Sequence, residues 1–232
     1  MKRITLIFVV IIAILSATVL GACGGSKMSE EEWNEAMDFQ NCDAITISYK
    51  QEKSANARIT KTYNTHTVTY DKANGMLYSV QEIKTYNIFD VLTEQIDSYQ
   101  FVEVTGEEVK NYTKTDKDNR PSSWSANFRS YGDEDMALEQ LSKVFQSYLA
   151  TFGLDSFSYS GFTLKKGKYV KTAVINDKNT LWQLNFSDGK LSSASFETKH
   201  KLNSSNIDYE KVTVTLTYSA DIQKPDNLPL YG

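Results

Sequence analysis

The sequence predicts an α+β protein in which helices pack on one large antiparallel sheet. Two patterns carry this prediction. From residue 43 onward the chain mostly alternates apolar and polar residues, which is typical of antiparallel strands with one buried face. Two shorter segments, 30–39 and 134–152, instead place apolar residues three and four positions apart, as amphipathic helices do. The 210 residues from Cys23 onward are enough for one large β domain or for two small ones.

The chain begins with the features of a bacterial secretory signal. A basic start is followed by the mostly apolar run 4–20, and Leu20, Gly21 and Ala22 stand directly before Cys23. This order resembles a lipoprotein signal with a lipobox, in which the cysteine thiol accepts a diacylglycerol. The alternative is a retained membrane-spanning helix, because the seventeen residues of this run are close to the minimum that spans a bilayer.

The signal predicts where the protein acts. Residues 1–22 would be removed as a signal peptide, residues 23–28 would form a lipidated and flexible tether, and residues 29–232 would form a single domain. We therefore expect a protein anchored to a cell membrane through Cys23 on the extracytoplasmic face. A Gram-positive cell surface and a Gram-negative periplasm both fit this expectation.

Charge and cysteine content narrow the range of partners. The chain has a net charge of −4, so it has no general electrostatic attraction for nucleic acid, and none is expected as a partner. Only two cysteines are present, and with Cys23 lipidated Cys42 has no partner for a disulfide. We interpret Cys42 as a small, half-buried residue beside the first strand rather than as a reactive thiol.

A helix over residues 30–39 is expected to open the domain. Ser29 and Glu32 have the spacing of a capping box, and Trp33 begins the apolar face. Antiparallel strands follow, separated by turns rich in Asp, Asn and Gly. The predicted strands are 45–50, 66–70 and 76–80, with one or two more over 82–87 and 99–105, and residues 88–96 are interpreted as a loop or a short helix.

The composition changes near residue 120. Residues 114–123 are polar, charged and without periodicity, which predicts a surface connection or a hinge. The amphipathic helix 134–152 comes next, with Asp133 placed to cap its N-terminus and Gly153 placed to end it. Its apolar stripe is expected to cover the sheet, and it consists mainly of Leu138, Leu141, Phe145, Tyr148 and Phe152.

A second set of strands follows this helix and resembles the first in plan. Strands are predicted over 169–175, 182–186, 191–197 and 212–218. Each half would then consist of a helix followed by paired strands. We interpret the domain as two pseudo-repeated halves of one sheet, joined near residues 114–133.

Several of these features together resemble a known family. The lipobox, the opening helix, the long strands, the amphipathic helix, the segment 155–159 and the hairpin 188–191 resemble bacterial lipoproteins of the LolA/LppX-like fold. The resemblance covers roughly residues 29–220. It implies a curved antiparallel sheet that forms an incomplete barrel, with helices on its open side and an apolar space between them that holds a lipid or an acyl chain.

A hydrophobic ligand is therefore the partner that we expect besides the membrane. On a strongly curved sheet, the apolar residues of the concave face and of the helix stripe would line a pocket. The same residues would equally form an ordinary core, and the protein would then be an interaction or sensor module that binds another envelope protein. The candidate pocket residues are Tyr49, Tyr70, Leu141, Phe145, Trp182, Leu184, Phe186 and Tyr218.

Catalysis is not expected. The mature region contains no Gly-x-Ser-x-Gly, HExxH, Walker A or GxGxxG motif. A hydrolase that uses His66 or His200 with a serine and a carboxylate is the least favoured function. The acidic residues 30–32 are interpreted as a helix N-terminus, and Asp116 and Asp118 as part of a solvated loop. No metal site and no cofactor are expected.

Overall fold

The structure is a computed structural model that describes residues 27–55, 60–175, 178–201 and 207–230. Cys23 and the lipobox lie outside these ranges, so their role stays a prediction. Within the ranges, no helix combines the length and the apolar character needed to cross a membrane.

Two α-helices and eleven strands occur in the described residues, and all eleven strands belong to one antiparallel sheet. The prediction of an antiparallel sheet accompanied by helices is confirmed. The helices are α1 (Glu30–Ala36) and α2 (Glu134–Thr151). The strands are β1 (Ala44–Ala55), β2 (Thr60–Asp71), β3 (Met76–Tyr86), β4 (Leu92–Thr105), β5 (Glu108–Lys117), β6 (Ser125–Ser130), β7 (Thr163–Lys165), β8 (Lys168–Ile175), β9 (Lys178–Ser187), β10 (Lys190–Lys201) and β11 (Ile207–Thr217).

The sheet has an open, serpentine order. Successive strands pair as hairpins from β1 to β6 and from β7 to β11, and β1 pairs with β11 in the centre. The order is therefore β6-β5-β4-β3-β2-β1-β11-β10-β9-β8-β7, with β6 and β7 as its two edges. Because these edges do not pair with each other, the sheet is not closed. Helix α2 belongs to the connection between the two edge strands.

Two turns use left-handed backbone conformations. Asp188 and Gly189 have φ values of 53° and 72° between β9 and β10, as a two-residue hairpin of the predicted kind requires. Gly75, between β2 and β3, has a φ of 63°, and a Cβ atom there would lie 3.2 Å from the Cβ of Val104. Glycine at this position therefore serves both the turn and the close approach of β4.

Helix α1 has the predicted start but ends earlier than the sequence suggested. The Ser29 side chain accepts a hydrogen bond from the Glu32 amide, and the Glu32 carboxylate accepts one from the Ser29 amide, so the capping box is confirmed. The predicted end at residue 39 is wrong, because α1 ends at Ala36 and a 3₁₀ turn begins at Phe39. In a continuous helix Phe39 would point about 120° away from Trp33, whereas the break lets both side chains enter the core.

Helix α2 agrees closely with its prediction. The Asp133 carboxylate accepts a hydrogen bond from the amide of Met136 at 2.7 Å, and Gly153 follows the helix with a φ of 70°. The buried residues of the helix and its C-cap are Ala137, Leu141, Phe145, Leu149 and Phe152. Most of the predicted stripe is thus buried.

The first set of strands is longer than the sequence indicated. The segments predicted at 76–80 and 82–87 are one strand, β3, and residues 92–96, interpreted as a loop or a short helix, belong to β4. None of residues 92–98 is buried, because this part of the hairpin extends beyond the core. Without a buried face these residues need no apolar alternation, and pairing with β3 alone keeps them extended.

Three strands were missed. Strand β5 covers part of the predicted connection 114–123, which in fact begins after Lys117, and neither β6 nor β7 was expected. The buried residues of β5, Val109 and Tyr112, are three positions apart and therefore lie on opposite faces of the sheet. Because each face buries only one of them, the strand shows no alternation in its sequence.

Both faces of the β3–β5 region are covered. Phe101 and Tyr112 lie on the face opposite to α2, yet both are buried. The C-terminal segment 219–230 lies against this outer face, where the Lys224 ammonium is 2.6 Å from the carboxylate of Glu103. No pattern in the sequence predicted this cover.

Candidate functional site

The eight predicted pocket residues lie in one continuous core beneath the helices. Tyr70, Leu141, Phe145 and Leu184 are fully buried, and the other four pack directly against that core. At its centre the rings of Tyr70 and Phe145 stack with centroids 4.3 Å apart and planes 4° from parallel. Helix α2 is thus in direct contact with the sheet.

The remaining four residues fill the space on either side of this stack. Tyr49 stacks on Phe152 at 5.0 Å, and burial raises its pKa to about 12. The Tyr218 hydroxyl donates a hydrogen bond to a backbone carbonyl, and burial raises the pKa of this side chain as well. Trp182 and Phe186 belong to aromatic clusters nearer the β7 edge. These residues act as packing elements in this structure, and none of them lines the groove described below.

A short row of polar groups crosses the interface between α2 and the sheet. The hydroxyl groups of Tyr70 and Ser142 are 2.9 Å apart, and the Tyr148 hydroxyl donates to the Gln100 amide oxygen. His66 Nε2 lies 2.7 Å from the hydroxyl oxygen of Ser79. These hydrogen bonds satisfy polar groups that the packing of α2 removes from water.

His66 is held neutral by its surroundings. The rings of Tyr148 and Phe152 meet the imidazole edge to face, and burial lowers the pKa of His66 from 6.5 to about 4. No carboxylate within the described residues hydrogen-bonds to this imidazole or shifts its pKa. The His66–Ser79 pair therefore lacks both the third member and the access that a hydrolytic site requires. His200 takes part in the backbone pairing of β10 with β11.

A groove with a volume of about 450 Å³ lies between α2 and the β6 edge of the sheet. It exists because α2 packs mainly on β3, β4 and β5, while Asn127 and Arg129 of β6 stay exposed. The inner face of β6 is therefore left uncovered beside the helix. The residues that line the groove are Val102, Val109, Asn111, Asn127, Arg129, Tyr131, Gln140, Lys143, Val144 and Ser147.

The lining combines an apolar floor with hydrogen-bond donors. The apolar residues of the lining are Val144 of α2, which is half-buried, and Val109 of β5 and Val102 of β4, which are buried. Side-chain amides stand around them, and two cations lie at the rim. The protein as a whole has 29 acidic residues against 25 basic ones, yet no carboxylate belongs to this lining.

The two cations of the groove differ in availability. The Lys143 ammonium pairs with the carboxylate of Glu139 at 2.7 Å, one turn earlier on the exposed face of α2. The Arg129 guanidinium lies over the ring of Tyr131 at 5.3 Å and has no ion pair within the described residues. Arg129 is therefore the cation that is free to bind an anionic group.

Sequence reasoning missed this groove because it missed β6. The segment 125–130 does alternate, with Ala126 and Phe128 on one face and Asn127 and Arg129 on the other. This alternation was a usable signal. It was overlooked because the segment is short and follows a polar connection.

The described residues contain no other arrangement that suggests metal or thiol chemistry. No group of three or more His, Cys, Asp or Glu side chains in these ranges is placed to hold a metal ion. Cys42 is half-buried and its Sγ lies 3.7 Å from the Asp38 carbonyl oxygen, and burial raises the pKa of its thiol. The expectation that the protein uses no metal and no cofactor stays a prediction.

Comparison with known proteins gives similarity among solved structures. No family model matches the chain, and no curated protein matches it. Among solved structures, the chain is similar to the crystal structure of a beta-barrel-like protein of domain of unknown function DUF1849 from Brucella abortus. The match covers 79% of this chain and 98% of that chain, with 10% sequence identity and a TM-score of 0.30. At this score the similarity carries no argument about the site.

Proposed function

We propose that this protein is a membrane-anchored bacterial lipoprotein that binds an amphipathic, anionic ligand in the groove between α2 and the β6 edge. The observation that carries the proposal is the lining itself, which has an apolar floor and hydrogen-bond donors and contains no carboxylate. A fatty acid or another acyl chain with a negatively charged head group has the matching chemistry.

Size and geometry support this ligand class. A volume of about 450 Å³ lies within the range of small-molecule sites. Val144 would contact the acyl chain, and Arg129 would meet a carboxylate or a phosphate with its planar array of N–H donors. Asn127, on the same face of β6, offers a further side-chain amide.

The resemblance to LolA/LppX-like lipoproteins supports ligand binding but places it elsewhere. In such a fold the ligand lies between the sheet and the helices that cover it. In this protein the corresponding space is filled by Tyr70, Leu141 and Phe145. We therefore propose an incomplete, curved barrel whose ligand site is displaced to the open β6 edge.

A filled interior also favours a second candidate function. An envelope interaction or sensor module would need a rigid core and an accessible surface, and the stack of Tyr70 on Phe145 provides the first of these. The two candidates differ in whether the groove takes up a small molecule.

Ligand uptake is tested with the mature, unlipidated chain carrying Cys23→Ser, titrated with a fluorescent fatty acid. Two variants probe the groove: Arg129→Gln removes the free cation, and Val144→Glu places a negative charge on the apolar floor. We expect about tenfold weaker binding for the first and no measurable binding for the second.

Arg120→Gln, at an exposed position outside the groove, is the matched control and should bind like the parent chain. No uptake by the parent chain, or equal uptake by all variants, would move the assignment to the interaction module.

The membrane anchor is tested separately. Cys23→Ser in the full chain should leave the protein unlabelled by a fatty-acid analogue and released from the membrane fraction, because serine cannot form the thioether to diacylglycerol. If this variant is still labelled and membrane-bound like the wild type, the interpretation of the N-terminus is wrong.

A further inference from the structure

The loop between β3 and β4 exposes a cluster of apolar side chains. Ile88, Phe89 and Val91 are 56%, 77% and 55% exposed, and Leu92 at the start of β4 is also exposed. These residues lie at the end of a hairpin that projects beyond the core, since none of residues 92–98 is buried. We call residues 87–92 the apolar tip. An apolar cluster that is held in water at such a projection is a common mark of a contact surface.

The shape of the tip does not depend on its apolar side chains. The Asn87 side-chain oxygen accepts hydrogen bonds from the amides of Phe89 and Val91, at 2.9 and 3.1 Å. Asp90 adopts a left-handed conformation, with a φ of 56°, and its carboxylate pairs with the ammonium of Lys61 at 2.7 Å. Polar groups thus hold the loop, and they turn its apolar side chains outward. The conformation of this loop therefore does not depend on the Phe89 side chain.

Aromatic and basic residues surround the base of the tip. The rings of Tyr63 and Tyr86 contact each other edge to face at 5.7 Å on adjacent strands, and Tyr63 is itself exposed. Lys61 lies two residues before Tyr63 on β2, opposite Tyr86 and therefore directly beside the tip. Apolar residues at the extremity, with tyrosines and a lysine at the base, are the residue types that partition to the surface of a bilayer.

We infer that the apolar tip inserts into the interfacial region of a lipid bilayer. The tip is convex and comprises only four apolar side chains, which is less than a stable protein–protein interface requires. A bilayer needs no complementary pocket, because its acyl region accepts any projecting apolar group. The described residues of the tip carry no unpaired charge that would oppose insertion, since Asp90 is neutralised by Lys61.

The inference goes beyond ligand binding and rests on the proposed membrane location. Four residues separate Cys23 from Met28, and the five residue steps between them limit the reach of the tether to about 18 Å. A domain on so short a tether remains at the membrane surface, but the tether alone leaves it free to rotate. Insertion of the tip would add a second point of attachment and so restrict this rotation.

The test uses the mature, unlipidated chain with Cys23→Ser, so that the lipid anchor makes no contribution. Co-sedimentation with vesicles of phosphatidylcholine and phosphatidylglycerol gives the partition coefficient. We expect measurable partitioning of this chain and at least a tenfold loss with Phe89→Ser, because the phenyl ring would no longer be transferred from water. Leu230→Ser removes an equally exposed apolar side chain outside the tip and should leave the partition coefficient unchanged.

A second measurement locates the tip directly. In Phe89→Trp, brominated acyl chains should quench additional indole fluorescence that the parent chain lacks. An absence of partitioning at millimolar lipid, or equal partitioning of Phe89→Ser and the parent chain, would overturn the inference. So would a dimer in sedimentation velocity that Phe89→Ser abolishes in the absence of lipid. None of these outcomes bears on fatty-acid uptake in the groove, which is measured without vesicles.

Discussion

The two helices pack on the sheet in different ways. Helix α2 contributes a continuous stripe of four turns, and its central residues Leu141 and Phe145 pack over the middle of the sheet. Helix α1 has only two turns and contributes essentially one large side chain, Trp33. Four aromatic rings, those of Tyr159, Phe162, Tyr169 and Phe186, lie within 5.8 Å of the indole ring, centroid to centroid.

The helices also cover the strands of the opposite half. Helix α1 precedes β1 to β6 in the chain, yet Trp33 packs on β8 and β9. Helix α2 precedes β7 to β11, yet it packs on β3, β4 and β5. A helix with a long stripe distributes its stabilisation over many residues, whereas a short helix concentrates it in one. The two sides should therefore respond differently to substitution.

Trp33→Ala is expected to have the largest effect. Removing the indole leaves a cavity among four rings, and the free energy of unfolding should fall by about 3–5 kcal/mol. Trp33→Phe should cost only about 1 kcal/mol, because the buried indole N–H has no acceptor within the described residues and its loss leaves nothing unpaired. Urea denaturation measures both. Equal losses in the two variants would contradict the view that packing, rather than the indole N–H, holds α1.

Leu141→Ala and Phe145→Ala should each lower the free energy of unfolding by about 2–5 kcal/mol, since both side chains are fully buried beneath α2. Met136→Ala, on the exposed side of the same helix, is the control and should change it by less than about 0.5 kcal/mol. Thermal melts with and without fatty acid should show the same losses. A melting temperature that is unchanged in both core variants would mean that α2 does not pack on the sheet.

The α2 side should also respond to pH through His66. The unfolded chain binds a proton on this histidine near pH 6.5, whereas the folded protein does so only near pH 4. Its contribution to stability is therefore complete above pH 6.5 and is lost as the pH falls towards 4. In His66→Gln, the decrease in the free energy of unfolding over this window should be smaller by the order of 2 kcal/mol. Parallel pH profiles for the variant and the wild type would show that burial of His66 leaves its protonation unchanged.

The smallest expected effects come from single tyrosine hydroxyl groups, one on each side. Tyr70→Phe removes the hydrogen bond to Ser142 in α2, and Tyr169→Phe removes the acceptor of the Met28 amide next to α1. Each should lower the free energy of unfolding by about 0.5–1.5 kcal/mol. Tyr86→Phe, whose hydroxyl makes no such contact with a helix, serves as a reference. A loss above 3 kcal/mol in either variant would show that a hydrogen bond, rather than aromatic packing, holds that helix.

Local signals predicted the helices well. The Asp133 cap, the apolar stripe and Gly153 delimit α2 within the chain, and the capping box of Ser29 and Glu32 fixes the start of α1. These features depend on side chains within a few residues of each other, so they can be recognised in a single sequence. The hairpin turn at Asp188 and Gly189 can be recognised for the same reason.

Strands without a buried alternating face were not predictable in this way. Strand β5 divides its buried residues between two faces, and residues 92–98 extend beyond the core. Their extended conformation is stabilised by hydrogen bonds to strands that are adjacent in space. The groove depends on β6 and on the limited reach of α2, so it could not be located before these strands were known.

By itself, the sequence determined the class of the fold, the limits of α2, the start of α1 and the apolar residues that form the core. The tertiary structure alone decided that β1 and β11 pair at the centre, that each helix covers the other half's strands, and that a groove without carboxylates opens beside β6. The physical reason is the range of the interactions. Caps, turns and stripes act over one or two turns of chain. The pairing of β1 with β11 and the contacts of α1 with β8 and β9 join residues more than a hundred positions apart, and α2 covers strands that lie tens of residues before it, so no local pattern specifies these partners.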